Sequence, residues 1–114
     1  MVTDNYIPER GDVVWLNFSP QTGHEQQGKR PAVVISPQAY NQKARLALFC
    51  PITTKQKGYP FEVKINNGKI HGVVLSDQIK SLDWQQRGVE FIVNLGDNEM
   101  NEIMKKLSAL IFCE

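Results

Sequence analysis

Metal-binding and disulfide chemistry have little to work with in this chain. It holds two cysteines, Cys50 and Cys113, and two histidines, His24 and His71. No CxxC or HExxH spacing occurs, so neither a metal site nor a cofactor is expected. One cysteine stands in an apolar run and the other beside the end of the chain, and both are expected to be reduced. Long hydrophobic runs are missing too: none approaches the roughly 20 residues that a membrane-spanning helix needs. Asp4, Pro8 and Glu9 occupy the region where a signal peptide would carry a basic and then an apolar segment. These absences point to a cytoplasmic protein with no membrane partner. Repeats, low-complexity tracts and linker-like stretches are also lacking. With 114 residues, 41% of them hydrophobic and 22% charged, the chain suits one globular domain over residues 1–114.

The net charge of +1 hides a segregation. Residues 29–80 carry nine Lys and Arg against Glu62 and Asp77, whereas the segments on either side are acidic in balance. A basic middle is a candidate surface for an anionic ligand, RNA or DNA foremost, although such charges can also scatter over several faces.

Hydrophobic periodicity supplies the framework. Val14, Leu16 and Phe18 alternate with Val13, Trp15 and Asn17, the period of a half-buried strand. Pro31 to Ile35 is apolar throughout and reads as a central strand. Ser36-Pro37 offers a helix cap ahead of a short helix over 38–44. Leu46 to Cys50 reads as a third strand, closed by Pro51. Phe61, Val63 and Ile65 alternate up to Asn66-Asn67-Gly68, a strong hairpin signal, and Ile70 to Leu75 return. Residues 79–84 continue extended, and Val89 to Leu95 alternate once more. After Gly96 the period changes: Met100, Ile103, Met104, Leu107, Leu110 and Ile111 follow helical spacing, with Asp97 as N-cap. Several short strands and a terminal helix predict a mainly β (α+β) fold, a small and strongly bent sheet or barrel.

Chemistry concentrates in the segment Gly23-His24-Glu25-Gln26-Gln27-Gly28-Lys29-Arg30-Pro31, which runs into the second strand. Two further polar segments leave strand ends, Thr53 to Lys57 and Ser76-Asp77-Gln78. If the sheet gathers all three, a pocket would contain His24, Glu25, Arg30, Thr53, Thr54, Lys55 and Asp77. That set has no activated serine or cysteine motif and no glycine-rich phosphate cradle. It does have acid–base groups, hydroxyls and a fixed cation. RNA cleavage needs no more, because RNA brings its own nucleophile in the 2′-hydroxyl. A guanidinium suits the charge that develops on the phosphate, being planar, always charged and able to donate two parallel hydrogen bonds. Plainer roles compete: Arg30 as an ion-pair partner of Glu25, Thr53 and Thr54 as strand-end caps, Asp77 as a turn anchor, the lysines as solvated charges. Tyr59, Phe61 and Trp84 are aromatic candidates for stacking on unpaired bases or for the core.

Beyond this residue chemistry, the sequence resembles the MazF/PemK (Kid-type) family of toxin endoribonucleases from bacterial toxin–antitoxin systems. The matching stretches are GDVVW at 11–15 with Pro20 beyond, GHEQQGKRPAVVISP at 23–37, PITT at 51–54, KGYPFEV at 57–63 and GVVLSDQIKSLDW at 72–84. The resemblance implies a small SH3-like β-barrel with a C-terminal helix, close in fold to the gyrase poison CcdB. It implies a homodimer that cleaves single-stranded RNA at short sequences without a metal, leaving a 2′,3′-cyclic phosphate and a 5′-hydroxyl. A cognate antitoxin would inhibit by laying a flexible tail across the substrate surface. The family's catalytic arginine falls on Arg30, its catalytic threonine on Thr53 and its loop acid on Glu25. The acid and base of the PemK branch fall on His24 and Asp77. Where that branch has an arginine two residues before the aspartate, this chain has Leu75. Lys29, Thr54, Lys55, Lys57 and Gln78 are the candidates to hold RNA around the reacting phosphate. The rival expectation is a non-catalytic, CcdB-like poison that uses the same fold to grip a protein target.

Overall fold

Alternating apolar residues and short turns build a curled antiparallel sheet, which the computed structural model describes for residues 6–18 and 29–112. The strands are β1 (Asp12–Asn17), β2 (Lys29–Val34), β3 (Leu46–Thr53), β4 (Glu62–Asn66), β5 (His71–Leu75), β6 (Lys80–Asp83) and β7 (Glu90–Asn94). Helix α1 (Gln38–Ala44) joins β2 to β3, and α2 (Asp97–Phe112) follows β7. The order across the sheet is β4-β5-β3-β2-β1-β7, with β6 also paired to β3. The result is a half-barrel closed on one side by the terminal helix.

β3 is where the sheet bends. Residues Leu46–Phe49 pair with β6, Phe49–Pro51 with β2, and Ile52 and Thr53 with β5. The sequence suggested an end at Pro51, yet the strand continues to Thr53. Proline lacks the N–H that a continuous ladder would use. Here it falls between the last β6 pair, Phe49↔Lys80, and the first β5 pair, Ile52↔Val74.

Strand alternation divides the core in two. Val13, Val33, Cys50, Ile52, Val63 and Val74 pack with Met100, Ile103 and Leu107 of α2. Their sequence neighbours Val14, Ala32, Val34, Ala47 and Phe49 pack with Leu16 and Trp84 on the other face. β2 is apolar throughout because both of its faces are covered. Trp84 is therefore a core residue, and its indole N–H donates to the Asn41 carbonyl at 3.1 Å.

Three local expectations are corrected. Ser36 does not cap α1: Pro37 holds the cap position, while the Ser36 hydroxyl bonds the buried Asn41 side chain and accepts from the Leu48 N–H. Asp97 is already helical, and the Gly96 carbonyl accepts the first α2 bond, from the Met100 N–H. Leu110 and Ile111 have the spacing of the core face but are exposed, together with Phe112. No helix is long and apolar enough to cross a membrane among the described residues.

Candidate active site

Strand pairing determines what meets at the sheet's end. The β2–β3 ladder pairs Val34 with Phe49, Val33 with Cys50 and Ala32 with Pro51. Beyond it β2 and β3 take other partners, Arg30 pairing with Leu16 of β1 and Thr53 with Val73 of β5. Lys29 and Arg30 thus belong to β2 itself rather than to the loop before it. A side chain on a paired strand is held more firmly than one on a loop tip.

Arg30 and Thr53 line one cleft of about 230 Å³. Lys55, Lys57 and Gln78 line it too, with an aromatic and acidic wall formed by Tyr59, Phe61 and Glu62. The Thr53 hydroxyl oxygen accepts a hydrogen bond from the Lys55 N–H at 3.1 Å. This bond occupies a lone pair and leaves the hydroxyl proton free to be donated.

Three cationic side chains crowding one small cleft would repel an unrestrained loop apart. Glu62 restrains it. Its carboxylate accepts from the Gly58 N–H at 3.0 Å and from the Lys57 N–H at 3.2 Å, folding the basic loop back onto β4. Gly58 makes the turn with φ +84. Further down, the Ser76 hydroxyl donates to the Phe61 carbonyl and the Lys106 ammonium to the Pro60 carbonyl. Tyr59 stacks on Phe61 with ring centroids 5.1 Å apart at 21°, and its outer face is open to solvent.

The remaining expected site residues are placed elsewhere. Thr54 lines a separate recess on the other side of the strand end. Asp77 is exposed and is not among the residues lining the cleft; its charge instead acts on Cys50. Burial, and secondarily Asp77, pushes the Cys50 thiol up to about 12, so it is neutral at physiological pH. Lys29 forms an exposed ion pair with Glu90 at 3.7 Å. His24 and Glu25 lie outside the described residues. Among the described residues no group of three or more His, Cys, Asp and Glu is gathered as a metal site would require.

Glu62 escaped the sequence reading. In the Phe61–Asn66 alternation it looks like any outward-facing polar residue. The only hint was an acid standing alone in a basic stretch.

Chemically, the cleft can grip an anion. It offers a guanidinium, a hydroxyl with a free proton, two ammonium groups and an exposed aromatic face. That combination suits a phosphodiester with an unpaired base attached.

Comparison with known proteins gives the same direction. Residues 9–111 match the family described as PemK-like, MazF-like toxin of type II toxin–antitoxin system. The chain is 43% identical over 110 residues to the endoribonuclease toxin MazF of Escherichia coli (strain K12), covering 96% of this chain and 99% of that one. It is 31% identical over 108 residues to the endoribonuclease PemK of Escherichia coli, covering 90% and 81%. A crystal structure of MazE-MazF from Deinococcus radiodurans superposes with a TM-score of 0.84 at 40% identity, covering 96% of this chain and all of that one.

Proposed function

Because the chain belongs to the PemK-like, MazF-like toxin family and is an endoribonuclease, we propose that it cuts single-stranded RNA by attack of the substrate's own 2′-hydroxyl. A base removes the 2′ proton and the oxygen attacks the adjacent phosphorus. The bond to the 5′-oxygen breaks, and an acid protonates that oxygen as it leaves. The products are a 2′,3′-cyclic phosphate and a 5′-hydroxyl, and the step consumes no water. Negative charge grows on the non-bridging oxygens as the fifth bond forms.

Arg30 is the group for that charge, donating paired hydrogen bonds from a fork that cannot deprotonate. Thr53 donates its free hydroxyl proton to the same phosphate. Donors aimed at developing charge supply on the order of 10²–10³ in rate each. The two proton transfers are assigned to His24 and Glu25, in the segment that leads into Arg30. Asp77, which does not line the cleft, ranks behind them. Lys55, Lys57 and Gln78 hold the chain on either side of the reacting phosphate. The observation that carries this reading is that Arg30 and Thr53, far apart in sequence, line one cleft.

Two assemblies complete the proposal. The first is with an antitoxin whose flexible tail covers the substrate cleft; related MazF chains are described in MazE-MazF structures. The second is a homodimer, supported by the exposed Leu110, Ile111 and Phe112 and by an apolar groove of about 670 Å³ running from α1 to the end of α2. Exposed apolar surface of that extent marks an interaction face. The protein is proposed to act on mRNA in the cytoplasm.

The test is to incubate purified protein with a long transcript in EDTA and to map the new ends. Cleavage leaving 5′-hydroxyl and 2′,3′-cyclic phosphate ends is expected. RNA that stays intact in EDTA and is cut once magnesium is added would overturn the mechanism.

A further inference from the structure

The segment leaving β3 has two sides. Thr53, Lys55 and Lys57 line the cleft described above, whereas Thr54 and Gln56 line a second recess of about 340 Å³. Extended backbone sends successive side chains to opposite faces, and here the alternation continues past the end of the strand. The far wall of the recess comes from the β4–β5 hairpin: Lys64 and Asn66 on one strand, His71 opposite Asn66 on the other.

Three features suit this recess to a nucleotide. None of its polar side chains, Thr54, Gln56, Lys64, Asn66 or His71, has a hydrogen-bond or ion-pair partner among the described residues, so their capacity is open to a ligand. No carboxylate of the described residues lines it. Two amides, each presenting a donor and an acceptor, can read a base edge, while the Lys64 ammonium can meet a phosphate. Its floor is Gly72, whose α-carbon lies so close to Thr53 that an added Cβ would stand 2.5 Å from the Thr53 carbonyl oxygen. The recess therefore adjoins the backbone of Thr53, whose side chain belongs to the neighbouring cleft.

We infer that this recess is a nucleotide subsite: the RNA strand crosses the ridge at Thr53–Thr54, with the reacting phosphate on one side and a flanking nucleotide on the other. Gln56 and Asn66 select its base and Lys64 holds its phosphate. The inference rests on the nuclease reading of the neighbouring cleft and adds where part of the sequence preference is read.

The experiment compares an unpaired oligoribonucleotide of mixed sequence, long on both sides of each candidate cut, with versions trimmed on the 5′ flank, the 3′ flank or both. Gln56→Ala, Asn66→Ala and Lys64→Ala are exposed substitutions whose folding is checked by circular dichroism. On the full oligonucleotide each is expected to raise KM about tenfold with kcat retained, and the two amide variants to relax base preference at one flanking position. On the version trimmed at that flank the same variants should match the parent protein. A parent protein that cuts the doubly trimmed substrate, together with variants that change all substrates alike or none, overturns the subsite while leaving the cleavage reading intact. A parent protein that cuts no substrate overturns both. Variants that escape antitoxin inhibition with RNA kinetics unchanged would assign the recess to the antitoxin and likewise overturn the proposal.

Discussion

Gly72→Ala should disable the enzyme more than it unfolds it. Gly72 lies in β5 with φ +148, and a methyl there would stand 2.5 Å from the Thr53 carbonyl oxygen and 3.1 Å from its carbonyl carbon. Carbon and oxygen in close non-bonded contact sit about 3.3 Å apart, so one backbone must retreat by about 0.8 Å. Gly72 is paired to Ile65 within the β4–β5 ladder, while Thr53 is the last residue of β3 and has only the Val73 pair there. The strand end is the part that yields. Overpacking and the unfavourable φ together cost about 2–5 kcal/mol, a serious share of a stability near 5–15 kcal/mol. The effect on catalysis is larger in proportion. A reacting group misplaced by roughly 1 Å loses on the order of 10²-fold in rate.

The assay measures urea unfolding and single-turnover cleavage of a short RNA at a temperature where the variant is folded. Gly68→Ala is the control: φ there is +91, but nothing lies within 4 Å of the added Cβ. It should lose about 1 kcal/mol of stability and keep its cleavage rate. If folded Gly72→Ala cut RNA at the parent rate, the claim that Thr53's position governs the chemistry would be refuted.

Other expectations follow from the same geometry. Arg30→Lys keeps the charge but loses the planar fork, and kcat should fall on the order of 10²-fold; Thr53→Val should fall similarly, with Thr53→Ser within about tenfold of the parent. Were Arg30→Ala to arrest growth as fully as the parent, poisoning by a binding mechanism would replace cleavage. Asn41→Ala strips partners from the Pro8 carbonyl, bonded at 2.8 Å, and from the Ser36 carbonyl, bonded at 3.1 Å, both in a buried setting. The loss should be about 3 kcal/mol in denaturant titration, and a value below about 1 kcal/mol would show that water takes over. Cys50 is held neutral in the fold, its pKa raised from 9.0 to about 12 by burial first and Asp77 second. Its contribution is complete below about pH 9 and is lost as pH rises towards 12. Urea midpoints should therefore fall between pH 8 and pH 11, and less so in a Cys50→Ala protein.

Most of the framework could be read from spacing, because strands with one or two buried faces leave a period that survives in the sequence. The Asn66–Gly68 turn was legible for the same reason: Asn67 and Gly68 state their turn geometry locally, and the Asn67 side chain accepts from the Lys69 and Ile70 N–H groups. What stayed hidden depends on partners. Pro51 looked like a stop because a lone proline cannot announce that the strand beside it changes. Leu110 and Ile111 looked buried because helical spacing does not say where the sheet underneath ends. Trp84 could have stacked on a base or filled the core, and only the packing of Phe49 and Ala47 around it decides. In the candidate site, residue types indicated Arg30 and Thr53, but their convergence on one cleft required the pairing of the whole sheet. Glu62 needed the folded loop, since an acid that braces a basic turn looks locally like one that faces solvent.

The division of β3 among three partners has a bearing on how such a toxin is made. Thr53 is placed by pairing with Val73 of β5, and Arg30 by pairing with Leu16 of β1 on a strand whose apolar half pairs with β3. On the proposed chemistry, a nascent chain still lacking β5 has no assembled blade, and a ribosome-stalled fragment ending at Asn66 should leave RNA uncut. On that reading, the message being translated should escape its own product until β5 has emerged.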